Sequence, residues 1–381
     1  MNIRESLIKV GASKLSKKWL GKLMRPITGG RGVIFTLHHV RPEMRHTFQP
    51  NRGLEVTPAF LEGTIVQLRA MGMDLISLEE ALFRLGRKRR AGERPFAVFT
   101  FDDGYRDNKI FAYPILKAHR VPATIFICSG LVDGTADMWW TVLERIIREN
   151  EQVELSFDGG RLVFPTQSLE EKHRAFKMAH YHLMNEVSER QQRLAIRKAC
   201  ETYGVNSTSL CKTLVMGWEE LQELSRSPLI TLGAHSANHF AVGRLQASQA
   251  RLEVAAGMER MQEKLGLTPR HFAFPYGGRL AASKVIGGEL EELGLSAAVT
   301  TQPSTLGRKN LKQPMYLPRV SLNGDYQSAE MVELYVSGHA FPIYKAASWA
   351  QRLIAPRPPF VPPVEDYSEF YKEQAPMEMV Y

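Results

Sequence analysis

The chain has 381 residues, of which 44% are hydrophobic, 23% charged and 9% aromatic. These are ordinary globular values, and they exclude collagen, coiled coil and wholesale disorder. Lys plus Arg is 49 and Asp plus Glu is 40, a formal charge of +9, and residues 1–31 hold eight of the basic side chains against one acid. The rest of the chain is nearly neutral, which argues against a nucleic-acid-binding body.

From the N-terminus, residues 1–30 read as a basic amphipathic helix. Ile8, Ala12, Leu15, Trp19 and Leu23 recur on one face, and Lys9, Lys14, Lys17, Lys18 and Lys22 fill the others. Two readings stay open for it: a helix packed on the domain, or one lying on an anionic membrane through residues 1–25. The stretch lacks the unbroken apolar run of a signal peptide, and no run of 18 apolar residues follows it. Cys128, Cys200 and Cys211 form no CxxC pair. A reducing, cytoplasmic location is expected, with peripheral contact at the inner membrane face as its variant.

The main domain is expected over residues 31–345. Val33–Leu37 reads as a buried strand ending in His38-His39, and Thr57-Pro58 and Ser77–Glu80 as helix starts. Ala97–Phe101 and Thr124–Ile127 are two further buried strands. An insertion over 133–216 follows, with a hairpin near 155–164 and helices at about 168–183 and 186–203. Strands resume at Leu229–Gly233, Phe272–Phe274, Ala297–Thr300 and Leu317–Leu322. Alternating strands and helices imply a mostly parallel sheet, open or closed. Residues 346–381 read as a proline-rich tail, disordered or extended.

Sites in this class lie at the carboxyl ends of parallel strands, and three such ends carry polar clusters. Thr100-Phe101-Asp102-Asp103-Gly104 places two adjacent carboxylates, one able to ligate a metal while the other handles protons. His235 and His239 are four apart, a spacing that suits a helical turn with both imidazoles on one face. Phe274-Pro275-Tyr276-Gly277 makes a sharp loop whose exposed N–H can serve an oxyanion. Imidazole and carboxylate together suit zinc and other first-row ions without choosing among them. Trp139 and Trp140 either stack on sugar rings or anchor a helix. His173, His180 and His182 read as solvent-facing.

In this order and at these separations, the three clusters resemble the polysaccharide deacetylase (NodB-homology, carbohydrate esterase) superfamily, over about Phe96 to Ser321 and including chitooligosaccharide deacetylase-like members. The resemblance implies a distorted (β/α) barrel of about seven strands, here with the helical and hairpin insertion. It implies removal of N-acetyl groups from an oligo- or polysaccharide with a divalent metal, Zn2+ or else Co2+ or Mn2+. Carried over residue by residue, Asp103, His235 and His239 would hold the metal, Asp102 would be the general base, and the Tyr276 N–H would face the oxyanion. Pro275 and Tyr276, with Trp139 and Trp140, are the candidate substrate contacts.

The chain departs from the family at Ala273, where many members carry an arginine that orients the base. Arg319 is the candidate replacement. His339 and His38 are the candidates for the general acid. Alternatives to the polysaccharide reading are a deacetylase or deformylase of a lipid-linked sugar at the inner membrane face, and a carbohydrate-binding homologue that has lost catalysis.

Overall fold

The computed structural model describes residues 28–44, 46–342 and 365–372. Residues 1–27 of the expected basic helix, with its membrane contact through 1–25, and most of the 346–381 tail lie outside the described residues. Twelve strands occur among the described residues: β1 (Gly32–Leu37), β2 (His39–Val40), β3 (Glu55–Val56), β4 (Asp74–Leu75), β5 (Phe96–Phe101), β6 (Ala123–Ile127), β7 (Gln152–Phe157), β8 (Gly160–Pro165), β9 (Ile230–Ala234), β10 (His271–Ala273), β11 (Ala297–Val299) and β12 (Val320–Ser321).

β1, β5 and β6 are buried at every position, as strands covered on both faces must be. The sheet order is β11-β10-β9-β6-β5-β1-β12, with β4 beside the start of β5 and every ladder parallel. Leu317, which leads into β12, forms a parallel bridge to Val299 of β11. Its N–H donates to the Ala298 carbonyl and its carbonyl accepts from the Thr300 N–H, both at 2.8 Å. The two edges of the sheet therefore meet, and seven strands form the distorted barrel that the resemblance implies. The closure is irregular because β10 and β11 contribute three residues each and β12 only two.

Period-two alternation sorts the strand residues. Ile34, Val98, Phe126, Ala273 and Val299 fill the barrel interior, with Leu78, Ala81 and Leu85 packed against them. Phe35, Phe99, Phe101 and Ile125 face outward onto the surrounding helices, where Leu61, Ile65, Leu68, Leu221 and Val254 cover them. The same alternation in β5 turns Thr100, and Asp102 just beyond it, to the inside.

Residues 133–216 contain the expected antiparallel hairpin β7–β8 and helices Leu169–Asn185 and Glu189–Tyr203. Both helices start with a serine capping box, Ser168 with Glu171 and Ser188 with Gln191. Helix Trp139–Glu149 precedes the hairpin, and its apolar face packs with Val153, Leu155, Phe176 and Ile196 into a core of its own. The sugar-stacking reading of the tryptophans is corrected here: Trp139 is 0% and Trp140 6% exposed, so neither indole offers a free face to a ligand. One stretch of the expected tail is also ordered. Residues 365–372 carry the short helix Glu369–Lys372 and bury Tyr367 and Phe370.

Phe99 sits at the centre of β5 and is fully buried. Phe99→Ala should cost about 3–5 kcal/mol, measured by denaturant titration; a loss below about 1 kcal/mol would contradict this placement of the core.

Candidate active site

Three loops meet above the carboxyl ends of β5, β9 and β10. Asp103 Oδ1 lies 3.0 Å from His239 Nε2 and 3.3 Å from His235 Nε2. All three side chains are buried, and their ligand atoms lie within 4.8 Å of one another. The histidines do not sit on a helical turn as the spacing suggested. The segment after β9 is irregular, with Ser236 at φ 63° and His239 at φ 58°. Asp103 and Tyr276 share this trait at φ 70° and φ 60°, so four of the five positive-φ non-glycine residues among the described ones stand in these loops. Such backbone costs on the order of 1–3 kcal/mol per residue and persists only where its surroundings impose it.

One imposing contact is helix Ala247–Leu265, which lies directly on the histidine loop at Gly257. A Cβ there would come within 2.7 Å of the Ser236 carbonyl carbon. His235 Nδ1 donates to the Ala273 carbonyl at 2.7 Å, which leaves Nε2 with its lone pair facing Asp103. His239 is oriented by rings, edge-on to Tyr276 at 4.7 Å and tilted against Trp140 at 4.8 Å.

This donor set fits a divalent cation. Bonds of about 2.0–2.2 Å at tetrahedral to octahedral angles place neighbouring donors roughly 3.0–3.4 Å apart, the range observed between the nitrogens and Asp103 Oδ1. Two imidazoles and one carboxylate also leave coordination positions open, as catalytic sites do.

Asp102 lies beside this group with a different set of partners. Arg319 grips it as a fork, Nη1 to Oδ1 and Nη2 to Oδ2, both at 2.7 Å. The guanidinium is fully buried in the barrel. It also donates to Thr100 Oγ1 at 2.9 Å and, through Nε, to the Thr300 carbonyl at 3.0 Å. Thr36 Oγ1 donates to Asp102 Oδ2 at 3.2 Å. Burial acts to raise the Asp102 pKa, but the Arg319 charge, with His235 and His38 behind it, outweighs burial and holds the carboxyl below its ordinary range.

His38 Nε2 stands 3.9 Å from Asp102 Oδ2, and its side chain is 19% exposed at the rim of the site. Burial pulls its pKa down, against the pull of Asp103 and Asp102. His339, the other acid candidate, is corrected. It is buried with Nδ1 2.7 Å from Ser337 Oγ, and the Ser337 carbonyl accepts from Thr28 Oγ1 at 2.6 Å. That places it at the start of β1, whereas the site lies past the end of this six-residue strand, about 20 Å away. His339 was a candidate because it lies roughly where the family's late acid histidine would stand; the chain returns instead to the opposite end of the barrel.

Pro275 is buried and Tyr276 partly exposed. The Tyr276 N–H has no hydrogen-bond partner among the described residues, and its hydroxyl accepts from Trp139 Nε1 at 2.6 Å. The tryptophans thus contribute as wall and support: Trp140 Nε1 donates to Tyr105 Oη at 3.2 Å. His180 is not solvent-facing as expected but packs on Trp139 at 5.2 Å between ring centres. Sequence reasoning missed Arg193 and Glu253, both buried behind the histidine loop. The available signal was a charged residue on the apolar stripe of a predicted helix, Arg193 with Ile196 and Glu253 with Ala250, Val254 and Gly257.

His239 contributes to the pH dependence of stability, and the pKa values of His38, His180 and His271 are lowered by burial in the same direction. Burial, opposed by Asp103, pushes the His239 pKa down to about 4, so the unfolded chain binds a proton here that the folded one does not between that value and about 6.5. Stability then rises with pH across this window. Metal-free protein should lose stability on acidification from pH 6.5 to 4.5, and His239→Gln should lose less; equal losses in paired denaturant titrations would contradict the assignment.

Comparison with known proteins gives a consistent picture. The family profile described as polysaccharide deacetylase matches residues 89–298. YxkH of Bacillus subtilis, which bears the same family description, is 33% identical over 84 residues, and the match covers 22% of this chain and 30% of that protein's length. Among solved structures, the deacetylase PplD of Streptococcus pyogenes aligns with TM-score 0.50 and 15% identity, over 77% of this chain and 92% of PplD. IcaB of Ammonifex degensii aligns with TM-score 0.50 and 17% identity, over 81% of this chain and 98% of IcaB. At these identities the structural likeness carries the fold alone.

Proposed function

This chain belongs to the polysaccharide deacetylase family, whose members are hydrolases of carbon–nitrogen bonds in carbohydrates, and on that premise we propose that it removes N-acetyl groups from an amino-sugar oligo- or polysaccharide with a divalent metal. The observation that carries this reading is the pairing of two adjacent carboxylates with different partners. Asp103 converges with His235 and His239, while Asp102 is locked by Arg319 beside them. A chito-oligosaccharide is the substrate class to test first, and zinc the metal, with cobalt or manganese acceptable to the same ligands. We place the activity in a domain spanning 31–345 with the 133–216 insertion, and in a cytoplasmic setting.

Asp103, His235 and His239 would hold the cation, which when bound lowers the pKa of water and polarises an acetyl carbonyl. Asp102, kept ionised, accepts the proton of the attacking water. Two of its lone-pair sites are taken by Arg319 and one by Thr36, and a carboxylate offers about four. Arg319 fixes the plane of the carboxylate as only a forked donor can. The Tyr276 N–H offers a donor to the developing oxyanion. His38, 3.9 Å from Asp102 Oδ2 and open to the rim, is the group best placed to pass a proton to the departing amine. PplD, whose fold this chain shares, is described in complex with acetate, the product expected here.

Acetate release from N-acetylglucosamine oligomers, measured on metal-stripped protein and again with zinc restored, tests the reading. Zinc-dependent acetate should appear with the wild type. Asp102→Asn should keep the metal and lose activity by about 10²–10⁴-fold. Asp103→Ala should lose the metal itself. Formate in place of acetate would redirect the acyl assignment, and turnover without any metal would end the metal-dependent reading.

Arg319→Lys keeps the charge but not the fork. It should lower kcat with the zinc dissociation constant unchanged; wild-type kinetics would remove Arg319 as the orienting group.

A further inference from the structure

The loop bearing His235 and His239 is held from behind by groups that touch neither imidazole. Glu253, fully buried on helix Ala247–Leu265, accepts from the Asn238 N–H at 2.5 Å and from Asn238 Nδ2 at 3.0 Å. The same Glu253 oxygen that takes Nδ2 also accepts from the Tyr371 hydroxyl at 3.0 Å. Arg193 donates to the Asn238 and His239 carbonyls at 3.2 and 2.9 Å.

Tyr371 comes from residues 365–372, far along the chain from either helix. In this segment Tyr367 and Phe370 are 4% and 2% exposed, with ring centres 5.5 and 5.3 Å from Phe240, the residue after His239. Polar contacts seat it further. Gln249 Nε2 donates to the Glu365 carbonyl at 2.6 Å, Ser188 Oγ donates to the Glu365 carboxylate at 2.9 Å, and Arg190 pairs with Glu369 at 2.8 Å. The segment thus spans helix Glu189–Tyr203, helix Ala247–Leu265 and the end of the histidine loop.

We propose that residues 365–372 form a strap that fixes the histidine loop, with Tyr371 a positioning residue acting through Glu253 on Asn238. The loop contains two non-glycine residues at positive φ, which external contacts must hold. Glu253 transmits the strap's position directly, since one carboxylate receives both Tyr371 and the loop. The use of the strap rests on the metal reading above; its effect on loop geometry does not. Groups bonded directly to metal-ligating histidines change metal affinity by about 10–100-fold when removed; Tyr371 stands further out, behind Glu253 and Asn238, so its loss should cost less.

The experiment compares wild type, Tyr371→Phe and Phe370→Ala in the full chain. Leu85→Ala serves as a destabilised control, buried on helix Leu78–Gly86 where it packs against the barrel interior. Two quantities are read well below each Tm: hydrogen exchange of the amides of residues 236–240 in metal-free protein, and the zinc dissociation constant by chelator competition. Tyr371→Phe, which keeps the ring, should speed loop exchange and weaken zinc by up to about tenfold; Phe370→Ala should do the same. Leu85→Ala should lower Tm with neither change. Wild-type loop exchange in Tyr371→Phe, or equal acceleration in Leu85→Ala, would overturn the strap. A wild type that binds no zinc would end the metal reading while loop exchange still decides the strap.

Discussion

The Arg319–Asp102 ion pair inside the barrel is the constraint around which the site is arranged. A buried charge pair offsets its desolvation only with near-ideal geometry and further hydrogen bonds. Here the fork is bidentate, and Thr36, Thr100 and the Thr300 carbonyl satisfy further groups on both partners. Those three threonines come from β1, β5 and the end of β11. The pair therefore needs the barrel closed: Arg319 reaches Asp102 only because Leu317 bridges β11 while Val320 pairs with β1.

The same interior explains how the chain manages with Ala273. The alanine is buried among Val98, Phe126 and Val299, and its carbonyl, not its side chain, serves the site by orienting His235. The guanidinium arrives from the segment just before β12, stacked over Phe126 with 5.5 Å between the guanidinium carbon and the ring centre. Asp102 and Asp103 then diverge because the chain changes conformation between them. Asp102 continues the inward alternation of β5, while Asp103 adopts the left-handed region and turns toward the histidines. One dipeptide supplies two carboxylates in two electrostatic settings.

Much of this was legible in the sequence. The buried runs of β1, β5 and β6 and the capping boxes of the inserted helices are local signals, and locally specified elements appeared where expected. Asp102, Asp103, His235 and His239 stood out as polar clusters at strand ends, while Arg319 was singled out only through the resemblance, as a replacement for an arginine absent at Ala273. Other features depended on long-range packing. The histidine spacing suggested a helix, yet the close approach of Gly257 to Ser236 and the grip of Glu253 and Arg193 impose an irregular loop. Trp139 and Trp140 could be read as sugar platforms or as helix anchors, and only the inserted core, which buries them, decides for the second. His339 misled because its place in the order of the family's motifs says nothing of which barrel end the chain returns to.

Strand closure has a consequence for how the molecule is made. Asp102 and Arg319 are separated by 217 residues, and loop closure over such distances is slow compared with forming neighbouring hairpins and helices. During synthesis β1, β5 and β6 emerge with Asp102 at their edge long before its guanidinium exists. A barrel shut at that stage would entomb an unmatched carboxylate, a costly state. Until Arg319 is in place, Asp102 is therefore lowest in free energy where water still reaches it.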